Sequence, residues 1–90
     1  MSKEIEGVWG IFHVEKFNGE LRDIRINSVY KDSLEAEHAL KMLVEYNLPS
    51  YINPKNIHWR DSRNVHITAE EFWHDRYYVD FIPMNIKYEK

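Results

Sequence analysis

The chain has 90 residues and no cysteine, which limits it to a single domain over residues 1–90 and excludes a disulfide scaffold, a thiolate zinc site and a thiol nucleophile. Its 43% hydrophobic and 14% aromatic content is enough to build a core, and no apolar run approaches the roughly 20 residues that span a bilayer. The formal charge of −3 speaks against a general nucleic-acid binder, and the charged start MSKEIEGVW lacks the apolar block of a secretion signal, so a soluble cytoplasmic protein is expected.

In chain order, GVWGIFHV and LRDIRINSVY read as two strands joined across FNGE. Asn18-Gly19 is the strongest short hairpin signal, because a type I′ turn needs positive φ at both central residues. With these two as the loop, Phe17 faces Glu20, and Trp9, Ile11 and His13 share a face with Ser28, Ile26 and Ile24. That face is the predicted core face. The other carries Val8, Phe12 and Val14 beside Arg25 and Asp23, more apolar than a solvated face needs.

KDSLEAEHALKMLVEYNLP is predicted to be a helix. Asp32 can cap it with Glu35 closing a capping box, Ser33 being the other cap candidate, and Asn47 suits a left-handed C′ position before Leu48 and Pro49. Ala36, Ala39, Leu40, Leu43 and Asn47 fall at helical spacing with Val44 beside them, while His38 lies on the solvent side. SYINPKN then reads as a loop in which Pro54 keeps Asn53 out of helical conformation.

IHWR and VHIT flank DSRN as a hairpin with a four-residue polar loop. TAEEFWHD offers Thr68 as a cap and Glu71 as its partner, predicting a short helix over 69–75. RYYVDFI alternates as a final strand, and Pro83 favours an edge position for it. The expected fold is α+β, an antiparallel sheet of about four or five strands in the order β-β-α-β-β-α-β, with the main helix packed on one face.

Several constellations bear on chemistry. In HITAEEFWHD, Glu70 and His74 stand one helical turn apart, and His66 or His58 could add an imidazole. Capping and the helix dipole account for those residue types without a metal, and there is no HExxH or EF-hand loop, so no metal ligand and no cofactor is expected. No nucleophile elbow or phosphate loop is present, and nothing places carboxylates such as Asp75 and Asp80 in a cleft, so no catalytic residue is assigned and the chain is expected not to be an enzyme.

The one basic, aromatic stretch supplies Lys55, His58, Trp59, Arg60 and Arg63 as candidates for a nucleotide or nucleic acid. Three Trp, six Tyr and four Phe exceed what one sheet and one helix readily bury, which points to a contact surface. Its candidates are Val8, Phe12, Val14, Tyr78, Ile82 and Met84. The expected function is therefore a small non-enzymatic protein-binding module, a phage-type or accessory regulator or inhibitor acting by surface complementarity. Its partner would be another protein or a second copy of the chain, with no membrane involved. A nucleotide or nucleic-acid binder using residues 55–66 is the alternative, and a His/Glu metal-dependent site trails it.

Overall fold

The structure is a computed structural model that describes residues 6–50, 52–69 and 73–84. Its chain begins with a long hairpin, β1 (Gly7–Phe17) and β2 (Glu20–Tyr30). Asn18 and Gly19 have φ of 53° and 79°, both in the left-handed region that a type I′ turn requires. Phe17 pairs with Glu20, as the Asn-Gly turn predicts.

Beyond the turn, the register departs from the expected ladder. Two bulges interrupt the pairing, one leaving Arg22 and the other Asn27 without an opposite residue. Between them the side-chain alternation is inverted. Ile24 pairs with Val14 and Ile26 with Phe12, whereas the sequence places both isoleucines on the face of Ile11 and His13. Arg25 instead lies opposite His13, and Asp23 opposite Glu15. The second bulge restores the parity, so Ser28 meets Ile11 and Tyr30 meets Trp9.

The helix α1 (Ser33–Tyr46) follows. Asp32 caps it, its carboxylate accepting from the Glu35 N–H at 2.8 Å. At the other end the Asn47 N–H donates to the Leu43 carbonyl at 2.9 Å, but φ of −116° shows that Asn47 is not left-handed. The helix stops there without a left-handed cap, and Leu48 still packs on the core. Ala36, Leu40 and Val44 are the buried stripe.

After a single 3-10 turn, Pro54–Asn56, come β3 (Ile57–Asp61), β4 (Asn64–Ala69) and β5 (Trp73–Pro83). The β3–β4 loop is tighter than the expected four residues, because Asp61 pairs with Asn64 and only Ser62 and Arg63 remain in the turn. The Asp61 carboxylate accepts from the Arg63 N–H at 2.7 Å and steadies that turn.

The short helix expected over 69–75 is not found where the chain is described: Ala69 ends β4, and Trp73, His74 and Asp75 open β5, while residues 70–72 lie outside the described residues. Ladder pairing overrides the local capping pattern. β1 offers hydrogen-bonding positions out to Phe17, and β5 fills them from Trp73 onward, with the Phe17 and Trp73 rings 5.4 Å apart. The sheet order is β2-β1-β5-β4-β3, antiparallel throughout, so β5 is central and not an edge strand. Pro83 is tolerated because it is the last residue of β5, paired with Gly7.

The core lies between α1 and one face of this sheet. Ile11, Val65, Ile67, Tyr77 and Val79 meet Ala36, Leu40 and Val44 there. No described element covers the opposite face, and the shortest dimension of the molecule, 18 Å, has room for one sheet and one helical layer. No described helix is long and apolar enough to cross a membrane.

Gly19 at φ +79° has open space around it, so a side chain there is opposed by backbone strain alone. Gly19→Val should destabilise the fold by about 1–3 kcal/mol in chemical denaturation, and a near-neutral result would contradict the turn.

Candidate functional site

The uncovered sheet face is the most distinctive surface. Its apolar half lies on β2, β1 and the end of β5, where Val8 pairs with Ile82 and Phe12 with Tyr78, so strand pairing gathers five of the six predicted interface residues. The Phe12 and Tyr78 rings stack at 5.1 Å. A Cβ at Gly10 would lie 2.7 Å from Ile82 and 3.4 Å from the Phe12 ring, which shows how closely these side chains lean over the glycine. Met84, the sixth, is exposed just beyond β5, with its N–H on the Glu6 carbonyl.

The inverted register adds what the sequence reading missed. It brings Ile24 and Ile26 onto this face through Val14 and Phe12, beside Leu21 and Val29, which the expected ladder already placed there; all four are 52% to 55% exposed. Where Arg25 and Asp23 were expected, the face is aliphatic. The two bulges carried no signal clear enough to read from sequence.

The other half of the face is cationic. His58 pairs with His66, His66 with Arg76 and Thr68 with His74, which places three imidazoles on three adjacent strands. His66 and His74 stand 5.7 Å apart between ring centres. Arg76 donates through Nε to Asn64 Oδ1 at 3.0 Å, and its guanidinium lies 4.8 Å over Tyr78. Burial first, and then the positive neighbours His74, Arg60, His58 and Arg76, hold the His66 imidazole below its ordinary pKa of 6.5.

A depression of about 840 Å³ joins the two halves, with Val14, Leu21 and Ile24 on one side, Arg60, His66, His74 and Arg76 on the other, and Lys16 and the His13-bonded Asp75 also in its lining. Two guanidinium groups among the imidazoles set a field that favours an anion over a divalent cation. The Glu70–His74 pairing behind the metal reading needs a helix, whereas His74 is in a strand and Glu70 lies outside the described residues. A regular spacing of eight residues between His58, His66 and His74 was the signal that could have revealed their shared face.

The predicted nucleotide set is divided by the sheet. His58 and Arg60 belong to the open face, while Trp59 pairs with buried Val65 and projects toward α1. Trp59, 42% exposed at the sheet edge, lines a groove of about 490 Å³ with Val44, Leu48 and Ile57. Arg63 sits over the Trp9 ring at 5.0 Å and 3.4 Å from Glu37, and Lys55 is exposed in the 3-10 turn. These five residues do not form one site.

On the helix side, a polar cluster emerges that sequence reasoning missed because His13 and Asp75 at its centre are 62 positions apart. His13 Nε2 lies 2.9 Å from Asp75 Oδ1, and Arg25 Nε donates to His13 Nδ1 at 3.3 Å. That donor needs a lone pair at Nδ1, so Nε2 carries the proton and donates to Asp75. The second arm of Arg25 reaches Glu15 at 2.5 Å, Asp23 is 3.2 Å away, and the His13 ring stacks on Tyr77 at 4.1 Å.

Atoms of His13, Glu15 and Asp75 lie within 4.8 Å of one another, a donor set of metal-binding type. Arg25 already supplies the positive charge, and it would have to leave Glu15 before a metal could enter. The described cluster is thus a self-satisfied network. Asp80, the other carboxylate considered for acid–base work, is exposed and accepts from the Phe81 N–H at 2.8 Å, far from this cluster.

Comparison of the chain with protein-family models, with curated proteins and with solved structures found no match.

Two outcomes follow from the site. Asp75→Ala strands the buried Nε2–H of His13, so it should lose about 1–3 kcal/mol of stability while Asp80→Ala stays close to neutral, as measured by urea unfolding. For His66, the unfolded chain binds the proton more readily than the folded one. Its contribution is therefore fully present above pH 6.5 and is lost as pH falls through 6.5 toward the lowered folded value. The difference in stability between wild type and His66→Asn should change in that window, and a pH-independent difference would contradict the assignment.

Proposed function

We propose that the protein is a small, non-enzymatic protein-binding module, a regulator or inhibitor whose working surface is the sheet face opposite α1. The observation that carries this reading is the absence, among the described residues, of any element over that face, together with its run of half-exposed aliphatic side chains on β2. Contiguous apolar surface of this kind is avoided by monomers unless it is used. The His13–Asp75–Arg25 network supports a non-catalytic role in that its hydrogen bonds are spent on one another.

A photo-crosslinking residue at the position of Ile24 tests this reading, with the exposed Leu34 of α1 as control. In cells that produce the protein, Ile24 should give a discrete protein adduct that Leu34 does not. Ile26→Glu should abolish that adduct without changing the circular dichroism spectrum, because a carboxylate in an apolar contact is desolvated and unpaired. Equal adducts from both positions, or none from Ile24, would contradict it.

A further inference from the structure

The open face is not uniformly apolar, and its charge restricts what can dock on it. Among the described residues, the ion pairs engage Glu15, Asp23, Glu37 and Asp75, and none reaches Arg60 or Arg76. A chain with a formal charge of −3 thus holds two unanswered guanidinium groups and three imidazoles on one half of one face. Arg76 is also held in place by Asn64 and Tyr78, with its two terminal nitrogens unengaged by any described residue. A guanidinium fixed in this way loses little freedom when it grips a carboxylate.

We propose that the depression between Val14, Leu21 and Ile24 on one side and Arg60, His66 and Arg76 on the other seats an acidic polypeptide segment, its carboxylates on the arginines and its apolar side chains on β1 and β2. The proposal rests on the protein-binding reading and adds the chemistry of the partner. Apolar and cationic walls bound the same depression, so one segment with alternating apolar and acidic side chains reaches both.

Two other occupants fit less well. A second copy laid face to face about a twofold axis would bring Arg60 and Arg76 against the same cations, if the axis ran across both halves, or against the aliphatic half, if it ran along their boundary, and either way would desolvate them unpaired. A single-stranded nucleic acid needs a free aromatic face for its bases. Tyr78 has Phe12 stacked on one side and, on the side of Asn64, the guanidinium of Arg76 over its ring, so neither of its sides is open to a base and stacking would fall to the imidazoles.

The test is fluorescence anisotropy of the full chain with four labelled probes: an alternating Leu-Glu peptide, its Leu-Lys counterpart, polyglutamate and oligothymidylate. The Leu-Glu peptide should bind most tightly, and the Leu-Lys peptide should not bind. The double variant Arg60→Gln with Arg76→Gln should weaken Leu-Glu binding by on the order of tenfold or more, since charge-assisted bonds are lost at both positions. Added salt should weaken the wild-type complex, which keeps the test independent of the variant's folding.

Equal binding of Leu-Glu and Leu-Lys peptides, no binding of the Leu-Glu peptide, or no effect of the double variant would overturn the proposal. Tighter binding of oligothymidylate would assign the cations to nucleic acid instead. If Ile24 still captures a protein partner while the Leu-Glu peptide fails, the acidic-segment proposal falls and the protein-binding reading stands.

Discussion

The pairing of β1 with β5 is the constraint on which the rest of the structure depends. The two eleven-residue strands run together without a register shift from Gly7↔Pro83 to Phe17↔Trp73. Because side chains alternate with a period of two, this one ladder sorts both strands into faces at once. It brings His13 to Tyr77 and Glu15 to Asp75 on the helix side, and Val8 to Ile82 and Phe12 to Tyr78 on the other. A slip by one residue would exchange the two sets, so the buried polar network and the apolar face stand or fall together.

The two outer pairings then give the open face its asymmetry. On one side, the bulges in β2 turn Ile24 and Ile26 away from α1 and bring Arg25 back over His13, Glu15 and Asp23. The same inversion thus completes the internal network and makes the exposed surface aliphatic. On the other side, β4 and β3 add imidazoles through the pairing of His58 with His66 and of His66 with Arg76, and Arg60 joins them at a register shift between Trp59 and Asp61. One sheet consequently presents an apolar half and a cationic half with no described layer over either.

Sequence reasoning reached the features governed by local rules. Asn18-Gly19 encodes its turn because few other residues accept positive φ, and Asp32 encodes the helix start because its side chain can satisfy an orphan N–H three residues on. The alternation of Tyr77, Val79 and Phe81 marked the last strand for the same reason. Where tertiary pairing decided, local signals misled. Thr68 and Glu71 have the form of a capping box, yet Thr68 pairs with His74 in the sheet. Pro83 argued for an edge strand, but its place at the strand's end leaves the ladder intact. The contact between His13 and Asp75 depends on knowing which strand lies beside β1, and no local pattern carries that information.

The central claim is that β2 and β1 present their aliphatic face to solvent in the isolated protein. Solvent paramagnetic relaxation of methyl groups, read by NMR with a soluble gadolinium agent, tests it directly. Methyls of Ile24, Ile26 and Val29 should be strongly broadened, while those of Ile11, Val65 and Ile67, which the structure places under α1, should be spared. Protection of Ile24 and Ile26 equal to that of Ile67 in the monomer would show that the chain covers this face itself, and would contradict both the register and the function built on it.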